Sequence, residues 1–500
     1  MLQHTLFLSI FSDTFLARFL LLLSKVEKWN NRWQRIAALL GENMKKFQYT
    51  AVAFAAAMVM SGCGSSSKSS TGSNTKPLSP SYVNLQFVQL APPQATQRAG
   101  CTLFAQDENA SPKQYTYANL ARDVRVQINN ADGTISTQLA VSSSGLLRLD
   151  KNKVPAGGFV TIIDSPSNAD PYYRVLSIQK DLINNQVINV GRNQGSVNCY
   201  VANQAPKNNK TGYASVGKVG LTVTDYEYDS ILQSSGRINS DAFETQSLNT
   251  EAVLVRAYNN TDLVGYAMVD NLTPNAFEDV KQIEALTETI PGSILTTGHT
   301  LSSIDISMHK SPYNYLWESP STSSNSFDIK SNSDLTFNYR ANGRTSTNWD
   351  FAVNGIVGSS LDIQIPSSLN LNDTSPAIQQ DSVGYSFVNE GVSTSGKTFI
   401  VRSSYDKTHS SGSTLSHVIY SNSTHGNTKI PELNLANLGP SSAVNVKTTL
   451  FEVNSITPKF VRYAMTDTGK ADVVRELRLP NQLADEKNTL SHSTYTKVSR

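Results

Sequence analysis

The chain has 500 residues, a formal net charge of +2 and 16% charged residues. Average proteins carry about 25%, and here Ser, Thr and Asn fill the polar places instead. A near-neutral balance with no basic stripe excludes a surface built for nucleic acid.

Residues 1–43 fit no simple leader. Leu6 to Leu23 is apolar but interrupted by Asp13 and Arg18, and Lys25 to Arg35 is basic with Trp29 and Trp33. A transmembrane anchor is one reading, but a charge near its middle costs about 2.5–3.5 kcal/mol on insertion scales. Gly41-Glu42-Asn43 can be encoded by a purine-rich tract like a bacterial ribosome-binding site. Translation is therefore expected to begin at Met44, with residues 1–43 a spurious upstream extension.

Residues 44–62 have the order of a secretory signal peptide: Lys45 and Lys46, an apolar run from Ala51 to Met60, then small residues. Met60-Ser61-Gly62-Cys63 resembles the lipobox of bacterial lipoproteins, with Met60 in place of the more usual Leu. The resemblance implies cleavage before Cys63, a lipid on its sulfur and acylation, including palmitate, of the new N-terminus. The alternatives are an ordinary signal peptide or an apolar helix that happens to end at a cysteine. Residues 63–80 are rich in Ser and Gly and form a flexible tether. By resemblance to Gram-negative lipoproteins, Gly64 rather than Asp after the cysteine implies the outer membrane, its face undetermined.

About 420 residues remain, enough for two to four domains. The expected fold class is mainly β: several Ig-like antiparallel β-sandwich modules. Tyr82 to Leu90 alternates Val83, Leu85 and Phe87 with polar residues, and Asp123 to Asn129 alternates Val124, Val126 and Ile128 with Arg125 and Gln127. Asp132-Gly133 predicts a hairpin turn. Further strands are expected at Phe159 to Ile163, Val219 to Thr224, Val253 to Tyr258, Leu361 to Ile365 and Phe399 to Val401. One helix is predicted from Thr273 to Ile290, with Thr273 as N-cap and Pro274 in the first turn. Val264 to Asp270 (VGYAMVD), Val383 to Asn389 (VGYSFVN) and Val461 to Asp467 (VRYAMTD) form a weak repeat of strand-like heptamers. Boundaries near Asn208 and Pro376 give modules at 81–208, 209–376 (one module or two) and 377–480. A polar tail at 481–500 is expected to fray.

The sequence contains three cysteines. With Cys63 lipidated, Cys101 and Cys199 are an even pair in an oxidising compartment, and a disulfide is expected. Gly391 to Thr398 (GVSTSGKT) matches a phosphate-binding loop, but that motif needs a following helix, and Phe399-Ile400-Val401 reads as strand. A hairpin loop without nucleotide is expected. His409, His417 and His425 fit no metal-ligand spacing, and loop histidines are expected. No metal or cofactor is expected. Tyr313, Tyr315 and Trp317 alternate along a strand and share one face. They are either core or, if exposed, a stripe for stacking on sugar rings.

Three functional readings follow. The first is a non-enzymatic, lipid-anchored envelope protein with a structural or adhesive role. Its layout is similar to that of Gram-negative envelope lipoproteins, including those of the flagellar sheath. Sheath or other envelope proteins, or surface glycans, would be its partners. The second is a carbohydrate-binding lipoprotein using the aromatic stripe. The third is a secreted hydrolase, which a deep polar pocket with perturbed carboxylates would favour.

Overall fold

A computed structural model describes residues 81–500 apart from 165–171, 191–197, 202–206, 231, 296–298, 311–312, 365–368, 372, 389–390, 394–397, 409–411, 413, 423–426, 436–438, 467–491 and 500. The protein is mainly β, built of antiparallel-rich sheets that stack as sandwiches. The leader, Cys63 and the tether lie outside the described residues.

The centre of the architecture is a 12-stranded sheet with edge strands Tyr313–Glu318 and Ile135–Leu139. Smaller sheets cover it. The strand Tyr82–Leu90 lays Val83, Leu85 and Phe87 on one end of the long sheet, against Val126, Ile128, Val160, Ile162 and Ile178. At the opposite end, the face carrying Ile304, Ile306 and Tyr315 packs on Leu254, Tyr258 and Met268 of a 4-stranded sheet. That small sheet is buried on both faces: Val253, Val255 and Ala257 point the other way, into a core with Ala214, Val216 and Phe243. Period-2 alternation puts these residues on opposite faces of one strand.

The expected strands at Tyr82 to Leu90, Asp123 to Asn129, Phe159 to Ile163 and Val253 to Tyr258 are present as Tyr82–Leu90, Arg125–Asn129, Phe159–Asp164 and Val253–Asn259. Gly133 takes a φ of 93° in the predicted turn, the left-handed region that glycine enters at little cost.

Sheet pairing crosses both boundaries read from the sequence. Asn208 lies inside the strand Lys207–Gly217. Thr414–Ser421 runs parallel to Tyr172–Gln179, joining the first and third expected modules in one sheet. Asp350–Ile356 pairs with His492–Val498, which also pairs with Val444–Val453. This last strand corrects the expectation of a fraying tail: its residues sit inside the long sheet, with Tyr495 buried beside Trp349, Phe399 and Leu450.

Three other expectations are corrected. Residues 219–224 form no strand, and the strand begins after them at Asp225–Asp229. The predicted helix from Thr273 to Ile290 is instead a bridge from Thr273 to Tyr213 followed by the strands Val280–Gln282, Glu284–Ala285 and Glu288–Ile294. Open edges of neighbouring sheets supply hydrogen bonds that outweigh local helix propensity, and along the segment so formed Phe277 and Val280 are exposed while Ile283 is buried. Of the three similar heptamers, the first two overlap the strands Asp262–Val269 and Tyr385–Val388, but Val461 to Thr466 of the third lies in the helix Pro458–Thr466; Asn389 and Asp467 lie outside the described residues. Thr457 accepts a hydrogen bond from the Phe460 amide and Pro458 sits in the first turn. These local starting signals favour helix over strand.

Candidate functional site

Four strands bring polar side chains together where three sheets meet. Asp225–Asp229 (DYEYD) turns Tyr226 and Tyr228 into the core, so Glu227 and Asp229 face the other way. On its neighbour Val253–Asn259, Arg256 lies between Leu254 and Tyr258 on the same face, directly opposite Glu227 in the register. The edge strand Tyr313–Glu318 turns Leu316 and Glu318 towards them. Ser326–Ser331 adds Ser326, Asp328 and Lys330 by the same alternation. The space between is a cleft of about 700 Å³.

The contacts explain why the charges are tolerated. Arg256 is 6% exposed. It pairs with Glu227 at 3.2 Å and donates from Nη1 to the Trp317 carbonyl at 2.8 Å. The Asp229 carboxylate accepts from the Leu316 amide at 2.9 Å. Both bonds cap the open side of an edge strand, which would otherwise present unpaired backbone groups. Trp317 Nε1 donates to the Lys330 carbonyl at 2.9 Å, fastening the next strand. The Tyr258 hydroxyl donates to Glu227 at 2.9 Å, and the Arg237 guanidinium lies 3.6 Å over the Tyr258 ring.

Two carboxyls here titrate high. Burial raises Asp229 above its ordinary value, against the Leu316 amide and the Arg256 charge, which favour its ionised form. Burial also pushes Glu318 up to about 7, opposed by the Lys330 amide and the Lys330 and Arg256 charges, while Asp328 adds to the rise. Burial likewise raises the Tyr258 phenol to about 12. A carboxyl near 7 exchanges its proton close to neutral pH and can act as donor or acceptor.

A second polar cluster is sealed. His417 is fully buried, with Ser177 Oγ 2.8 Å from Nε2 and the Tyr405 hydroxyl 3.2 Å from Nδ1. Thr161 Oγ1 lies 2.8 Å from Ser177 Oγ and donates to Asn129 Oδ1 at 2.9 Å. Each hydroxyl has one proton, so the donors run one way: Tyr405 to His417, His417 to Ser177, Ser177 to Thr161, Thr161 to Asn129. Asn129 then donates to the Glu432 carbonyl at 3.0 Å. His417 thus gives a hydrogen bond to Ser177 and does not take its proton. Burial holds the imidazole down at about 3, so it is neutral. The Ser–His contact lacks both the polarity and the access of a nucleophile–base pair.

The residues singled out in the sequence fare differently. Tyr313, Tyr315 and Trp317 do share one face, but that face is core, and Trp317 is 0% exposed. This corrects the sugar-stacking stripe: the rings fill the sandwich against Tyr266 and Phe337. Cys101 and Cys199 are joined as the expected disulfide, with Cα atoms 5.5 Å apart. Cys63, Lys397, His409 and His425 lie outside the described residues. His417 is core and so departs from the expected loop histidine. After the GVSTSGKT motif comes the strand Thr398–Thr408, where a phosphate loop would need a helix. The expected hairpin is also corrected: Gly391–Ser393 pairs with Leu369–Leu371, while Thr398–Thr408 belongs to the long sheet. Among the described residues, no three His, Cys, Asp or Glu side chains are placed to hold a metal ion.

Sequence reasoning missed the Glu318 cleft because its carboxylates are dispersed over strands that meet only in the fold. One signal was present: Arg256 interrupts the apolar run VLVRAYN, and a cation there needs a partner. No protein-family model matches the chain, and no curated protein matches it in sequence.

Proposed function

We propose that this is an exported, lipid-anchored protein of the bacterial cell envelope with a structural or adhesive role. The observation that carries the reading is the apolar run ending at Met60-Ser61-Gly62-Cys63, followed by a Ser/Gly-rich tether. The Cys101–Cys199 disulfide supports export, because such bonds persist in oxidising compartments. Thiolate chemistry at Cys63 attaches the first lipid, and several acyl chains are needed for a lasting anchor, since one chain binds reversibly. Cys63→Ser should release the protein from the outer-membrane fraction or leave it unprocessed, with loss of palmitate labelling. A mutant that stays processed and membrane-bound, with no label in either form, refutes the anchor.

A second reading, a secreted hydrolase, is favoured by the open polar cleft and the raised Glu318 carboxyl. Release of reducing ends from envelope polysaccharide, abolished by Glu318→Ala, would establish it. No release at any pH would leave the non-enzymatic reading.

A further inference from the structure

The chemistry of the cleft at the rim of the long sheet selects a ligand class. Five carboxylates line it, Glu227, Asp229, Asp262, Glu318 and Asp328, against three cations, Arg237, Arg256 and Lys330. This small acidic excess disfavours phosphate and sulfate ligands. Glu227 is committed to Arg256 and Tyr258, and Asp229 to the Leu316 amide. What remains for a ligand is Asp328, Asp262, Lys330, Glu318, which also takes the Lys330 amide, and the hydroxyls of Ser234 and Ser326, a mixture of acceptors and donors. Leu316, 42% exposed, and the half-buried ring of Phe327 add a small apolar platform. Arg256 is buried at the wall and leaves its Nε without a hydrogen-bond partner. The volume falls within the roughly 300–1,000 Å³ of small-molecule sites.

A ligand matched to this surface needs many hydroxyls that both donate and accept, one weakly apolar face and no net charge. We propose that the cleft binds a neutral oligosaccharide, with Glu318, Asp328 and Lys330 bonding its hydroxyls and Leu316 and Phe327 against a ring face. Protonated Glu318 serves as a donor. The charged groups facing it are Arg256 from one neighbouring strand and Asp328 and Lys330 from the other.

The proposal deepens the envelope reading, which supplies glycans as the ligand at hand. Its test uses the full chain purified in detergent, so failure here leaves the Cys63 fractionation result untouched. Chitotriose, cellotriose, maltotriose and mannotriose are titrated by calorimetry, with spermidine as the cationic rival. At least one trisaccharide should bind saturably at millimolar concentration or below. Glu318→Ala should weaken that binding by about tenfold, equivalent to about 1.4 kcal/mol. Glu318→Gln should restore it and remove its decline as pH rises through about 7. Ser321→Trp, at an exposed rim position, should block binding without disturbing the core and serves if Glu318→Ala fails to fold. No saturable trisaccharide binding, binding indifferent to these substitutions, or spermidine binding alone overturns the proposal.

Discussion

The His417 seam and the Glu318 cleft both place titratable side chains inside a β-sandwich, and they differ in whether water reaches them. In the seam every donor meets an acceptor along one chain from Tyr405 to Glu432, and His417 is wholly enclosed. In the cleft the buried ends of Arg256 and Asp229 cap an edge strand, while Glu318, Asp328 and Lys330 meet open space. Burial alone therefore does not mark a site. A satisfied, closed network specifies how strands pair. A partly satisfied one that opens to solvent leaves hydrogen-bonding capacity for a ligand.

The comparison can be broken most decisively by acid. The imidazole titrates near 6.5 when exposed and about 3 in the fold, so between those values the unfolded chain binds the extra proton. Stability from this group is complete above about pH 6.5 and is lost as pH falls towards 3. Urea unfolding should lose several kcal/mol over that window, and His417→Asn should flatten the slope. A slope unchanged in that mutant would mean the seam is not sealed.

Next comes the buried guanidinium. Arg256→Met should cost about 2–4 kcal/mol, because it leaves the Trp317 carbonyl without its donor and removes the buried charge partner of Glu227, which keeps only Tyr258 and Arg237. An effect below about 1 kcal/mol, the level of an exposed ion pair, would mean the edge strand is held by other contacts. Ser177→Val should cost about 1–3 kcal/mol by leaving His417 Nε2 and Thr161 Oγ1 without their shared partner. Thermal unfolding of the full chain would read it.

The smallest effect separates the two regions by sign. Glu318 titrates at about 7 against an ordinary 4.5, so the folded chain binds the extra proton between them. Stability from this group is greatest below pH 4.5 and falls as pH rises through about 7, the reverse of His417. Glu318→Gln should therefore stabilise by about 1–2 kcal/mol above pH 7 and change little near pH 4. Equal stability at both ends would show that the carboxyl is well solvated.

Much of the strand pattern was legible because alternation is local. Tyr82–Leu90, Phe159–Asp164 and Val253–Asn259 each carry enough β-branched and aromatic residues to declare themselves. The two faces of Tyr313–Glu318 were legible too, but their environment was not: alternation places Tyr313, Tyr315 and Trp317 together without saying what lies opposite. Residues 273–290 misled because a helical apolar spacing arises by chance where turns and short strands follow one another. The tail misled because a strand central to a sheet can be polar when its neighbours supply the hydrogen bonds, as Lys497 shows in reaching the Thr347 carbonyl at 3.0 Å.

By itself the sequence determined the β class and several strand positions, and it offered Cys101 as a partner for Cys199. The proposed export signal is likewise a reading of consecutive residues, Lys45 to Cys63. The tertiary structure decided the rest. It ran one sheet through all three stretches of chain taken as modules, enclosed the aromatic stripe, and drew Glu227, Arg256, Glu318 and Asp328 together from separate strands. The reason is physical: alternation fixes the face of a side chain within a strand, whereas pairing between distant strands follows from backbone hydrogen bonds and burial that no short stretch contains.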